Sequence, residues 1–109
     1  MDMVINRFEV WLVNLDPTLG SEISKTRPCV VVSPNVVNKF LSTIIVAALT
    51  STSKPYPTRV DCIFNNQTGQ VALDQMRSVD KVRFVKKLGV LDISTAQKIC
   101  DTLQNLFTF

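Results

Sequence analysis

Six short runs of apolar and β-branched residues, at roughly 8–14, 29–33, 43–50, 58–64, 70–76 and 83–91, read as strands and restrict this chain to a small sheet. In Phe8-Glu9-Val10-Trp11-Leu12-Val13-Asn14 the apolar side chains alternate, whereas Cys29-Val30-Val31-Val32-Ser33 is almost continuously apolar. Pro34 ends the second run, and Asn35 to Phe40 is expected to form a short helical turn. Asn65-Asn66-Gln67-Thr68-Gly69 has the composition of a hairpin turn, with Gly69 expected to supply a positive φ, and Gly89 is expected to mark a bulge or bend. The final stretch changes period: Ala96, Ile99, Cys100, Leu103, Leu106 and Phe107 recur at helical spacing, and Ser94 with Gln97 fits a capping box. Short strands, long polar loops and one terminal helix describe an α+β, mainly β fold: a strongly curved antiparallel sheet, partly closed as a barrel, with a C-terminal helix. At 109 residues the chain is expected to form one domain over 1–109.

The absence of histidine removes both the commonest general base and the commonest transition-metal ligand, so any catalysis runs on Arg, Lys, Asp, Glu, Ser, Thr or Tyr. Cys29, Cys62 and Cys100 contain no Cys-x-x-Cys pair and make no four-ligand zinc set; they are expected as small buried hydrophobes in a reducing compartment. Glycines occur only at 20, 69 and 89, which rules out the Walker and dinucleotide-binding patterns, and no cofactor or metal is expected. The N-terminus has no signal-peptide core, and the longest apolar stretch, Ile44 to Leu49, is too short to span a bilayer. A soluble, cytoplasmic protein without membrane contact is the expectation. Twelve Lys and Arg against nine Asp and Glu give a net charge of +3, and Arg77, Lys81, Arg83, Lys86 and Lys87 gather around the single acid Asp80. Such a cluster is either a solvated face or a surface for an acidic partner or a nucleic-acid backbone.

The residues that can carry chemistry sit where strands give way to polar loops. Asp16 to Pro28 places Ser21, Glu22, Thr26 and Arg27 close to the start of the second strand. A loop this long is commonly functional, and Pro28 biases Arg27 toward an extended backbone. It reads either as an anion-handling loop or as a solvated surface loop. Arg27 is the strongest candidate, because a guanidinium holds two phosphate oxygens at once; the competing role is a salt bridge to Glu22 or Asp16. Thr50 and Ser51, at the end of Ile44-Ile45-Val46-Ala47-Ala48-Leu49, offer two adjacent hydroxyls to a phosphate oxygen, or are ordinary strand-end residues. Glu22 is the leading base, though with an unperturbed pKa of about 4.3 it is a weak one at pH 7. Asp74, Gln75 and Arg77 can read a base edge or fix a loop, and Lys54, Tyr56 and Arg59 can supply phosphate contacts and a stacking surface. Trp11 is expected in the core.

In order and spacing, Pro17-Thr18-Leu19-Gly20-Ser21-Glu22, Thr26-Arg27-Pro28, Val46-Ala47-Ala48-Leu49-Thr50-Ser51 and Val71-Ala72-Leu73-Asp74-Gln75 resemble the MazF/PemK/Kid family of toxin endoribonucleases over nearly the whole chain. The resemblance implies an SH3-like (CcdB/PemK-like) barrel working as a homodimer, and cleavage of single-stranded mRNA at short sequences without a metal ion. The 2′-hydroxyl would attack the adjacent phosphorus, leaving a 2′,3′-cyclic phosphate and a 5′-hydroxyl. The family's catalytic arginine and threonine fall on Arg27 and Thr50, and a cognate MazE-like antitoxin is the implied partner. Two departures stand out: the family's Gly-Asp before the first strand is Phe8-Glu9, and the arginine that some members carry two residues before Asp-Gln is Ala72. Arg27 is then left to carry the positive charge alone. Two other classes compete: a CcdB-like gyrase poison without catalysis, and a non-catalytic SH3-like RNA-binding module. Neither requires Arg27 and Thr50 in particular.

Overall fold

The computed structural model describes residues 3–109. Seven strands run β1 (Glu9–Asn14), β2 (Thr26–Val31), β3 (Thr43–Thr50), β4 (Arg59–Phe64), β5 (Gln67–Ala72), β6 (Arg77–Asp80) and β7 (Phe84–Val90); α1 (Asn35–Phe40) follows β2 and α2 (Ile93–Leu106) follows β7. The hydrogen-bonded order is β4-β5-β3-β2-β1-β7, with β6 also on β3. Every pairing is antiparallel. The ends of this path approach each other, because the Phe64 ring at the end of β4 lies against Gly89 of β7. The sheet is therefore a curled half-barrel.

Bulges produce the curl. Val10 faces Gly89 while Trp11 faces Lys87, so Leu88 is an extra residue beside the predicted glycine, and a second shift follows between Leu12 and Val13. Strand alternation through β1, β2 and β3 feeds two cores. Val10, Val30 and Ala47 go to one, with Ile99 of α2; Trp11, Val13, Cys29, Val31, Val46 and Ala48 go to the other. Trp11 is buried as expected, its ring edge-on to Phe84 at 5.6 Å.

Several sequence expectations need correction. The run at 70–76 is not one strand: β5 stops at Ala72, a 3-10 turn spans Leu73–Gln75, and β6 restarts at Arg77. Both pieces pair with the same edge of β3, β5 with Leu49 and Thr50 and β6 with Thr43 to Val46. The break therefore bends the chain along one strand. The β2 ladder starts at Thr26, three residues earlier than expected, because Arg27 and Pro28 pair with β1. The hairpin turn is made by Asn65 (φ 50°) and Asn66 (φ 64°), not by Gly69, which lies in β5 opposite Cys62. Asparagine tolerates the left-handed region, and two such residues match the twist of a tight hairpin.

The helix cap also moves. Asp92 accepts hydrogen bonds from the Thr95 amide (3.0 Å) and hydroxyl (2.7 Å), which leaves Ser94 inside the first turn, while Gln97 donates to Asp101. A carboxylate at a helix N-terminus satisfies an orphan amide and also complements the dipole. The apolar stripe buries Ile99 and packs Leu103, but Leu106 and Phe107 are exposed. Cys100 is only half-buried. Phe8, at the position where the family pattern has glycine, takes φ 68°, with the Arg7 guanidinium 4.9 Å above its ring.

Candidate active site

The β2–β3 register pairs Cys29 with Ala48 and Val31 with Val46. The β2–β3 ladder stops at that first pair, and continuing its count by two residues matches Arg27 of β2 with Thr50 of β3. Both lie just beyond a stretch of β2 and β3 buried on both faces, so a rigid scaffold holds them where the two long polar loops leave the sheet. They line one hollow of about 210 Å³ together with Ser51, Thr68, Phe64 and Cys62. The Arg27 Nε donates to the Ser24 carbonyl at 2.8 Å, which fixes the plane of the guanidinium. No ion pair joins Arg27 to Glu22 or Asp16 among the described residues. Both terminal nitrogens of Arg27 are thus available for an anion. The Thr50 Oγ1 accepts from the Thr52 amide at 3.1 Å, which leaves the hydroxyl proton to be donated elsewhere.

The first loop is a fixed wall. Leu15 N–H donates to the Lys25 carbonyl and Lys25 N–H to Asp16 Oδ1, both at 2.9 Å, which closes the loop at its base. Gly20 (φ 57°) and Lys25 (φ 70°) make its sharp turns. Glu22 Oε1 accepts from the Leu19 amide at 2.6 Å, and Gln75 Oε1 accepts from Ile23 N–H at 2.6 Å. Gln75 therefore ties the loop to the 3-10 turn. Ser21, Glu22, Asp74, Gln75 and Arg77 line a second cleft of about 430 Å³, floored by Val46 and Ala48. This cleft opens where β5 has ended and β6 has not begun. Glu22 lies here and not in the hollow that Arg27 shares with Thr50.

The second loop, residues 51–58, is tied at Lys54 and at its end, where the Thr58 carbonyl also accepts from Leu73 N–H at 3.2 Å. Buried Gln70 makes both hydrogen bonds to the Lys54 backbone, and Asp74 forms a two-point ion pair with Arg59 (2.6 and 3.1 Å) while accepting from the Thr58 hydroxyl. The Arg59 hydrogen bond holds the Asp74 carboxyl below its ordinary range, and the same bond pushes the Arg59 guanidinium up. Tyr56, exposed, packs over Arg59 at 5.5 Å. Arg59 and Asp74, both expected at RNA, are joined to each other in the free protein. Gln70 was not singled out in the sequence; its only signal there is a polar side chain heading the apolar run Val71-Ala72-Leu73.

The basic cluster disperses. Lys87 pairs with Glu9 at 2.9 Å, Arg77 donates to the Leu15 carbonyl at 2.9 Å, and Arg83 donates to the Asp16 carbonyl. Burial pushes the Glu9 carboxyl up, but bonds from the Asn6 amide, Trp11 Nε1 and Lys87 more than offset this and leave it lowered. Burial drives the Cys29 thiol up to about 12 and also raises Cys62, which favours the unreactive thiol form of both.

The half-barrel superposes on MazF of Deinococcus radiodurans with a TM-score of 0.84 at 26% identity, covering 96% of this chain and 97% of that one. A MazE–MazF complex from the same organism aligns with a TM-score of 0.78, also at 26% identity, over 96% of each chain. In sequence, Endoribonuclease EndoA of Bacillus subtilis is 32% identical over 108 residues, spanning 94% of this chain and 93% of the relative. Endoribonuclease PemK of Escherichia coli is 31% identical over 110 residues, spanning 95% and 83%. The family model for the PemK-like, MazF-like toxins of type II toxin–antitoxin systems matches residues 6–107, and the chain belongs to that family.

Proposed function

We propose that this protein is the endoribonuclease toxin of a type II toxin–antitoxin pair, cutting single-stranded mRNA without a metal ion. The observation that carries the reading is the single hollow that Arg27 and Thr50 line together, with the guanidinium's terminal nitrogens and the hydroxyl proton unused. The nucleophile is the substrate's own 2′-hydroxyl, so no protein nucleophile is required. Its oxygen bonds to phosphorus as the bond to the 5′-oxygen breaks, giving a 2′,3′-cyclic phosphate. One proton leaves the 2′-hydroxyl and one is delivered to the 5′-oxygen. Arg27 grips the non-bridging oxygens as negative charge builds on them, and Thr50 donates to the same group. An RNA strand crossing both hollows would set its reactive phosphate at Arg27, Thr50 and Ser51, with the adjoining nucleotide at Ser21, Glu22, Gln75 and Arg77. The free Oε2 of Glu22 is then the proposed proton acceptor. Lys54 and Tyr56 extend the groove as a phosphate contact and a stacking surface.

The chain acts as a single domain, in the cytoplasm, as a homodimer held silent by a MazE-like antitoxin; a solved MazE–MazF complex of similar fold supports that pairing. No helix among the described residues is long and apolar enough to cross a membrane. End-labelled RNA incubated with the protein in EDTA provides the test. The expected fragments carry 2′,3′-cyclic phosphate and 5′-hydroxyl ends, and Arg27→Ala lowers the rate about 10²–10³-fold. Arg27→Lys rescues poorly, because an ammonium has no planar two-point contact. Intact RNA, or an alanine variant as fast as the parent, overturns the assignment.

A further inference from the structure

Gln70 is 7% exposed, and in the β3–β5 ladder it is the residue directly across from Thr50. Its carboxamide behaves as an extra peptide group for the adjoining loop. Oε1 accepts from Lys54 N–H at 3.0 Å, while Nε2 donates to the Lys54 carbonyl at 3.1 Å and to Asp61 Oδ1 at 2.9 Å. Chain and hydrogen bonds together close a small ring: Thr50, the turn Ser51-Thr52-Ser53, Lys54, the Gln70 side chain, and the ladder back to Thr50. Within it, Thr52 N–H occupies one lone pair of Thr50 Oγ1. The direction left to the Thr50 proton therefore depends on a turn whose far end, among the described residues, is hydrogen-bonded only through Gln70. Gly69 fixes the near side, with its Cα so close to the Thr50 carbonyl that an added Cβ would stand 2.8 Å from the oxygen.

We propose that Gln70 is a positioning residue for RNA cleavage: by clamping the Lys54 backbone it sets the turn that aims the Thr50 and Ser51 hydroxyls into the Arg27 hollow. The inference rests on the cleavage reading above and adds to it a residue that never touches RNA. Loss of the clamp frees the turn and Lys54 with it, while Arg27, the Tyr56 ring packed over Arg59 and the second cleft stay available to bind. The rate constant therefore suffers and affinity does not, since small misplacements of a catalytic group are costly in rate.

The test uses Gln70→Met, which keeps the length and loses every hydrogen bond, and Gln70→Asn, which keeps the amide but falls one methylene short of Lys54. Gln97→Met, on the solvent side of α2, is the matched control. Cleavage kinetics on labelled RNA and hydrogen exchange at the Lys54 amide are read together, with circular dichroism reporting the fold. We expect kcat about 10–100-fold lower for both variants, KM within about twofold of the parent, and Lys54 exchange at least about tenfold faster. Exchange in β2 should not change. If Gln70→Met does not fold, Gln70→Asn carries the test. Parent-like kcat, unaltered Lys54 exchange, or a rate loss that only follows the folded fraction overturns the proposal. A parent that cleaves no RNA overturns the proposed function instead, and Lys54 exchange then decides whether the clamp exists.

Discussion

Gly69→Ala adds one methyl group at the tightest backbone approach near the site. The new Cβ would stand 2.8 Å from the Thr50 carbonyl oxygen and 3.6 Å from its carbon. A carbon–oxygen contact between neighbouring strands rests at about 3.3 Å or more, so β3 and β5 must separate by about 0.5 Å. That carbonyl belongs to the strand and has no rotamer to escape into. Overpacking of this kind costs about 1–3 kcal/mol, offset by about 0.5–1 kcal/mol because alanine loses less backbone entropy than glycine. The net loss, up to about 2.5 kcal/mol with a midpoint of about 1 kcal/mol, lowers Tm by about 4–5 °C at that midpoint for a domain of this size. The displaced residue is Thr50 itself, so cleavage should fall by about tenfold or more in protein that is still fully folded at the assay temperature. Thermal unfolding followed by cleavage kinetics at 15 °C separates the two effects. An alanine at 69 that leaves both Tm and kcat at parental values refutes the reasoning.

Thr50→Val keeps the β-branched shape, so unfolding should be unchanged while cleavage drops about 10–100-fold; a valine variant as fast as the parent would transfer the hydroxyl's duty to Ser51. Asp74→Asn leaves the Arg59 guanidinium, whose side chain is 6% exposed, without its carboxylate, and should destabilise by about 1–3 kcal/mol at pH 7 in denaturant titrations. Because the Asp74 pKa is depressed in the fold, its stabilisation is present above the unfolded value and fades as pH falls through the folded one, so the gap between parent and variant should close below about pH 4. Alkylation at pH 8 should modify half-buried Cys100 well before Cys29, whose thiol ionises only near 12, and mass spectrometry would count against that burial if Cys29 reacts in the native protein.

Much of the fold was legible because strand periodicity is local. The runs that became β1, β3, β4 and β7, the turn over 35–40 and the terminal helix all announce themselves in patterns of a few residues. What escaped depends on partners distant in sequence. The run Gln70 to Met76 contains no glycine or proline to mark a break, and it divides only because β5 and β6 share the edge of β3 at different points. Asp92 outcompetes Ser94 as the cap because its carboxylate reaches both the amide and the hydroxyl of Thr95, a choice that spacing alone leaves open. At the site, Arg27 and Thr50 were visible as residue types at strand ends, but their meeting in one hollow follows from how β2 and β3 pair. Arg59 and Asp74 were read as separate contacts for RNA and stand as a pair, and Gln70 gave almost no signal. Residues that hold other residues look ordinary until the chain is folded.

Trp11 is the chain's single tryptophan, and its surroundings make it an optical reporter of one seam. The indole is caged in the core with Phe84 at 5.6 Å, its N–H given to Glu9 at 3.0 Å, and its strand neighbours are Cys29 on one side and Lys87 on the other. Its emission is set by the β1–β7 pairing and the core packed beneath it. A red shift therefore signals that the seam has opened to water, while emission that holds constant during RNA turnover would mean that all the motion of catalysis is confined to the two loops.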